Sequence, residues 1–476
     1  MLFTSPVFLY CFLPVLLLAY FLSARLFKNS ILLLASLIFY AWGESFYVAV
    51  LLFSIALNYG AGLWIARCRE QSIGKYAIGL ACAANVLLLG FYKYANFLVD
   101  NLNVVLTGIG LDTMVLSPVH LPIGISFFTF QAISYVVDVY RGTSRVQKNP
   151  LDMALYIALF PQLIAGPIIR YHDVATQIRN RQHTLNDAYL GIRRFVFGLT
   201  KKLVIANPLG LVADQVFAIP AEELTAPLAW LGIVAYSLQL YFDFSAYSCM
   251  AIGLGRVFGF HFLENFNYPY ISRSVQEFWR RWHISLSNWF RDYLYIPLGG
   301  NRIGERRTYL NLLLVFLLCG LWHGASWNFV IWGLFHGAFL IMERLGLSAL
   351  LARFWRPLQH AYVLMVVMVA WVFFRAETLP YAMRYLQAMA GFGSGSGLHD
   401  DARFLMTPEF LWVMVAAIIF STPVWLRVQD VLDKPRQGVQ EFCVQCSGLA
   451  VLAIASLCCV LYVAAGSYNP FIYFRF

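Results

Sequence analysis

Apolar residues in this chain run in long blocks, and a block of about 20 is what a helix needs to cross a bilayer. Such blocks lie at residues 6–24, 29–43, 46–66, 76–92, 151–169, 228–256, 309–322, 325–342, 360–374, 410–426 and 447–465. Two further segments, 119–139 and 203–219, are apolar but interrupted. Together they predict an all-α polytopic membrane protein with about 11–13 transmembrane or re-entrant helices. No stretch between them has the length of a soluble domain, so a single integral-membrane domain over residues 1–476 is expected. The first block starts at once, lacks a basic n-region and continues past any small-residue cleavage site. It reads as the first span and not as a cleavable signal.

Interruptions carry more information than the blocks. In segment 119–142, Pro122 and Gly124 break the helix near its start. Phe160–Arg170 holds two prolines and a glycine inside an apolar run. Broken backbone at membrane depth is tolerated only where protein or a water-filled cavity surrounds it, so kinked or re-entrant elements lining a cavity are expected. Gly391–Gly397, followed by Leu-His-Asp-Asp401, reads as a linker; Ser396 spoils a GxGxxG pattern. Residues 427–441, with Pro435 and Gly438, read as a second polar loop.

Segment 274–293 shows a helical period. At about 100° per residue, Phe278, Trp279, Trp282, Leu286, Trp289 and Phe290 share one stripe, with His283 at its edge and Ser287, Arg280 and Arg291 beyond it. Tryptophans below and arginines above predict a helix lying flat at the headgroup level. A membrane anchor accounts for those residues, but not for His283 or Asn288.

The composition agrees with the pattern. The chain is 60% hydrophobic and 12% charged, against about 25% charged in an average soluble protein. Its net charge is +10. Segments 170–202 and 273–307 carry 14 of the 34 Lys and Arg, which predicts that both face the cytoplasm. A basic surface there suits anionic lipid headgroups or a phosphorylated cytosolic substrate. Nucleic acid is excluded as a partner because the basic residues are pinned beside membrane segments. The nine cysteines form no framework, Cys443-Val-Gln-Cys446 has no second pair, and no metal-ligand set occurs at recognised spacing.

An ionisable group at membrane depth is costly, which makes the few present candidates for function. His323 stands in Gly320-Leu-Trp-His-Gly324, where small residues at four-residue spacing let another helix approach, as do Gly333 and Gly337. Trp322 and Trp327 flank it. A shielded imidazole is neutral and able to accept a proton; equally, it is a histidine hydrogen-bonded between helices. His283 reads as a second catalytic residue, a substrate clamp or an interfacial histidine. His336 would lie about 140° from His323 on a continuous helix and reads as structural. His120, His172, His183, His261, His360 and His399 read as solvated. Asp243, with Ser245 and Ser248, interrupts an apolar helix and must be paired or face water, as a tunnel-lining or structural group.

The motifs Phe39-Tyr-Ala-Trp42, Leu121-Pro-Ile-Gly124, Asp138-Val-Tyr-Arg-Gly142, Tyr241-Phe-Asp-Phe-Ser245, Glu264-Asn-Phe-Asn267, Glu277–Ser287, Leu298–Arg302, Leu321-Trp-His-Gly324 and Asn469–Phe476 occur in order along nearly the whole chain. In them the chain resembles the membrane-bound O-acyltransferase (MBOAT) superfamily, in the bacterial polysaccharide O-acetyltransferase branch typified by the alginate O-acetylation membrane protein. The resemblance implies a ring of tilted helices around a thin centre with a tunnel. It places the essential histidine at His323 and the second at His283. It also implies acetyl transfer from cytosolic acetyl-CoA, as a donor substrate and not a bound cofactor, to an exported polysaccharide. Transfer is direct or through a periplasmic partner of the serine-hydrolase type, in the bacterial inner membrane. Arg280, Arg281, Arg291 and Asn288 become candidates for holding coenzyme A, the arginines reading equally as lipid anchors. Ala246 and Cys249 depart from the Gly and Asp of the alginate-type motif. A polysaccharide transporter or flippase, and a lipid acyltransferase of the same superfamily, are the alternative readings.

Overall fold

The computed structural model describes residues 1–393, 395, 402–432, 439–466 and 468, with side chains left out at 429–432 and 439–442. Most of the 391–403 linker, His399, Pro435, Gly438 and the closing Asn469–Phe476 motif lie outside the described residues. Among the described residues all regular structure is helical. Six helices there are long and apolar enough to cross a membrane: Val48–Cys68, Ile73–Gly108, Leu185–Phe217, Trp327–Leu351, Arg356–Arg375 and Cys443–Ala464. Val7–Leu22 and Pro408–Phe420 are shorter apolar helices. The chain groups into two units, residues 1–192 with 251–263, and 193–250 with 264–476.

In the first unit, Val48–Cys68 and Ile73–Gly108 are clamped by a reciprocal amide pair. Asn58 Nδ2 donates to Asn85 Oδ1 at 2.9 Å, and Asn85 Nδ2 donates to Asn58 Oδ1 at 2.8 Å. Both side chains are buried, so each satisfies a group that hydrocarbon cannot. The interruption at Pro122 and Gly124 appears as expected. The chain is irregular up to residue 124 and then enters the helix Ile125–Arg141. Gly124 has φ +79°, and a Cβ there would lie 2.5 Å from the Leu163 carbonyl oxygen.

The block 151–169 is not one span. It forms Pro150–Ala158 and Phe160–Leu163, then irregular backbone to residue 170, with residues 155–169 buried inside protein. The freed polar groups find partners. Tyr156 donates its hydroxyl to the Ile169 carbonyl at 3.0 Å, and Phe160 N–H donates to Ser36 Oγ at 3.1 Å.

Segment 170–202 is likewise not a cytoplasmic loop throughout. From Leu185 it is helical, and Arg193, Arg194, Lys201 and Lys202 sit on the run Leu185–Phe217. In the second unit two of these cations meet carboxylates instead of lipid. Arg194 donates to Glu264 at 2.7 Å, and Lys202 Nζ lies 2.8 Å from Asp243 Oδ1. The Lys202–Asp243 pair is almost fully buried, which supplies the partner that Asp243 requires at its depth.

Glu305–His323 and Trp327–Met342 form a tight helical hairpin in the same unit. Gly320 and Gly333 face each other at its crossing. A Cβ on Gly320 would come 2.2 Å from the Phe329 carbonyl oxygen, and one on Gly333 2.2 Å from that of Phe316. Gly337 has more room, its nearest neighbour being 3.3 Å away on the Leu313 side chain.

Gly333→Ala is therefore expected to force the hairpin apart, costing about 1–3 kcal/mol and lowering the melting temperature of the detergent-solubilised protein. Gly337→Ala should melt close to the wild type. Lys202→Met removes the charge partner of buried Asp243 and is expected to cost about 3–5 kcal/mol. The double variant K202M/D243L should regain most of that in the same melting measurement.

Candidate functional site

The hairpin crossing places His323 at the last position of Glu305–His323, just before the extended Gly324. The imidazole is 7% exposed. It lines a small cavity with Leu240, Phe244, Trp282, Trp332, Trp371 and Phe374. Ring centroids of Trp322, Trp332 and Phe374 lie 4.9, 5.0 and 5.1 Å from its own. The wall is thus aromatic, with the imidazole as a polar group on it.

The expected interfacial helix at 274–293 is two helices. Val275–Arg281 and Ile284–Phe290 are separated at Trp282, which is extended, and His283, which is left-handed with φ 44° and ψ 55°. Phe278, Trp279, Trp282, Leu286, Trp289 and Phe290 are all buried in protein and do not face the headgroups. Ser274 caps the first helix through the Glu277 N–H at 3.0 Å. Glu343 receives the next two orphan donors, from Val275 at 2.6 Å and Gln276 at 3.0 Å.

The break turns His283 fully inward. Its Nδ1 meets Asn265 Oδ1 at 3.2 Å, and its Nε2 has no hydrogen-bond partner among the described residues. Burial pushes this imidazole down to about 3, so it is neutral. The Phe244 ring lies 4.6 Å away and the Trp322 ring 6.3 Å away. Both of those side chains also adjoin His323 or its cavity. The two histidines singled out by the sequence therefore share neighbours, and Trp322 stands beside both.

The remaining candidates are dispersed. Asp243 pairs with Lys202, and Ser245 is buried on the same helix as the cavity residues Leu240 and Phe244. Arg281 is held by Glu277 at 2.9 Å, and Arg291 by Asp292 at 2.7 Å. Arg280 is exposed and Asn288 half-buried. None of these four lines the cavity at His323.

His336 sits on the far side of Trp332, 5.0 Å ring to ring. The 140° separation from His323 does not apply, because residues 324–326 end one helix before Trp327 starts the next. Its Nδ1 accepts from Trp279 Nε1 at 3.3 Å. Of the histidines read as solvated, three meet buried partners: His172 Nδ1 lies 2.7 Å from Asp138, His120 Nε2 3.2 Å from Glu44, and His183 Nε2 2.8 Å from the Tyr20 hydroxyl.

Sequence reasoning missed Lys202, Asn265, Trp332, Trp371 and Phe374. Asn265 lay inside a quoted motif without a role, and Trp371 and Phe374 lay inside an apolar block. A polar amide within an aromatic-rich motif was the one available signal.

The model of the MBOAT, membrane-bound O-acyltransferase family, matches residues 143–379, which include every cavity residue and both histidines. The Pseudomonas putida protein named "Probable alginate O-acetylase AlgI" is 44% identical over 492 residues, covering 100% of both chains. The protein of the same name from Azotobacter vinelandii is 42% identical over 503 residues, again covering 100% of both. The peptidoglycan O-acetyltransferase of Helicobacter pylori is 36% identical over 526 residues, covering 100% of this chain and 98% of its own. With that full-length similarity, and with both motif histidines gathered under one aromatic roof, the chain belongs to the membrane-bound O-acyltransferase family.

Proposed function

We propose that this O-acyltransferase transfers acetyl groups from cytosolic acetyl-CoA to an exported polysaccharide, directly or through an extracytoplasmic serine-hydrolase-type partner, in the bacterial inner membrane. The observation that carries the reading is the His323 imidazole set into the wall of a narrow aromatic cavity. The names of the full-length relatives, for alginate and peptidoglycan acetylation, favour a polymer over a lipid as the destination.

In this reading the acceptor hydroxyl oxygen attacks the thioester carbonyl carbon while His323 takes its proton. The carbon–sulfur bond then breaks, and the departing thiolate receives that proton from His323, so that free coenzyme A leaves. General base catalysis of this kind supplies about 10²–10⁴-fold. The apolar aromatic wall disfavours competing water, which protects the thioester from hydrolysis. His283 orients the acyl donor: its bare Nε2 accepts a hydrogen bond from an N–H or O–H of the pantetheine arm. Arg280 is the arginine best placed to meet coenzyme A phosphates, since it is exposed and Arg281 and Arg291 are each held by a carboxylate.

His323→Ala is expected to lower acetate on the secreted polymer by at least about 10²-fold at normal protein abundance. Undiminished acetylation would end the reading and return the protein to a transport role. His283 also adds acid sensitivity. Between pH 6.5 and about 3 the unfolded chain takes a proton that the folded imidazole refuses, so stability falls as pH falls. The acid-side decline of melting temperature should be shallower in His283→Gln than in the wild type.

A further inference from the structure

Asn265 is 1% exposed and grips the turn that carries His283 from both sides. Its backbone carbonyl accepts the Ile284 N–H at 2.9 Å. Its side-chain Oδ1 accepts the Ser285 N–H at 3.1 Å and the Ser285 hydroxyl at 2.9 Å. Its Nδ2 donates to Ser248 Oγ at 3.0 Å. Next to it, Asn267 N–H donates to the Arg281 carbonyl at 2.9 Å, and Arg281 returns a bond to the Asn267 carbonyl at 3.1 Å. Residues 265–267 thus run alongside 281–285 and hold His283 in a left-handed conformation. A non-glycine residue is rarely found there without such support.

This arrangement settles a proton. An amide nitrogen and oxygen look alike, but a backbone N–H can only donate. The Asn265 atom that faces the Ser285 N–H must therefore be the oxygen. The same oxygen faces His283 Nδ1 at 3.2 Å, and the Ser285 hydroxyl, 3.5 Å from that Nδ1, is turned to the oxygen at 2.9 Å, so the arrangement favours Nδ1 as the donor. In a neutral imidazole the other nitrogen then carries a lone pair and no hydrogen. His336 is set the opposite way, because the Trp279 indole N–H can only donate and does so to Nδ1. Two buried histidines in one unit are thereby fixed in opposite tautomers by partners whose polarity is not adjustable.

We propose that Asn265 is a positioning residue that locks His283 in the Nδ1–H tautomer, so that Nε2 meets the reacting molecules as a hydrogen-bond acceptor and never as a donor to the oxyanion. This rests on the acyl-transfer reading for its consequence, but the tautomer itself can be read without substrate. Ser248 fixes the amide orientation from behind, and Ser285 fixes it from the side. A histidine held in the wrong tautomer can lose about 10⁴ in rate, as a serine protease shows.

The decisive measurement is nitrogen NMR of the full chain in nanodiscs with ¹⁵N-histidine, using His283→Gln to assign the signals. A protonated Nδ1 and a bare Nε2 on His283 are expected; a protonated Nε2 in the wild type overturns the proposal. Asn265→Leu should release the tautomer and lower kcat by about 10²–10⁴-fold. An unchanged tautomer in that variant also overturns it. Asn265→Asp keeps the acceptor, adds a charge that favours imidazolium, and guards against a folding defect. It should retain activity while its acid limb moves up by a pH unit or more, and an unmoved acid limb with normal folding counts against the proposal. Loss of the acyl-transfer reading through His323→Ala would leave the NMR result standing, so the two failures are separable.

Discussion

The close crossing of Gly320 and Gly333 is the constraint on which the proposed site depends. With no side chain on either, the two helices approach until each glycine lies against the other helix's backbone. Small residues drive this kind of packing in membranes, where burial of apolar surface gives no advantage over lipid. The approach has a consequence one turn further on. It sets Trp332 against His323 at 5.0 Å and against His336 at 5.0 Å, and brings Phe374 of the neighbouring helix to 5.1 Å from His323. The aromatic wall is a product of backbone proximity, and the glycines determine it although they touch no reactive atom.

The second determinant is polarity assigned by obligate donors. Backbone and indole N–H groups cannot reverse, so each fixes the acceptor opposite it, and each acceptor fixes the next group along. Ser285 N–H orients Asn265, which orients His283; Trp279 orients His336. A dry interior makes such chains stringent, because a mismatched donor or acceptor there keeps the full cost of desolvation. The left-handed turn at His283 is affordable only because Asn265 bonds it through both main chain and side chain.

Much of the helical plan was legible, because spans of apolar residues and breaks at Pro122 and Gly124 have direct physical causes. The failures are instructive. Phe278, Trp279, Trp282, Leu286, Trp289 and Phe290 form a stripe that periodicity detects, but a stripe buried in protein and one buried in lipid have the same pattern. Nothing at His283 announces a left-handed residue, since neither glycine nor proline stands there; tertiary bonds from Asn265 impose it. Lys202 was counted as loop charge because hydropathy falls near residue 201, whereas its charge is spent on Asp243, 2.8 Å away. Both site histidines were visible as ionisable groups in apolar surroundings. Their shared roof of Trp322 and Phe244 comes from elements about 80 residues apart, and no local signal encodes it.

Under the proposed mechanism the aromatic wall also reconciles two demands on His323. At rest a general base must be neutral, and a dry cavity disfavours charge. In the proposed transfer the same imidazole would become a cation for as long as it held the acceptor's proton. Water would stabilise that cation, but it would also hydrolyse the thioester. Aromatic rings within about 6 Å offer an alternative, since a ring face attracts a cation by about 0.5–2 kcal/mol where water is absent. Trp322, Trp332 and Phe374 all lie inside that range of His323. Where such a ring presents its face to the imidazole, the attraction acts only on the charged form, which is the requirement for lowering a barrier instead of merely tightening binding.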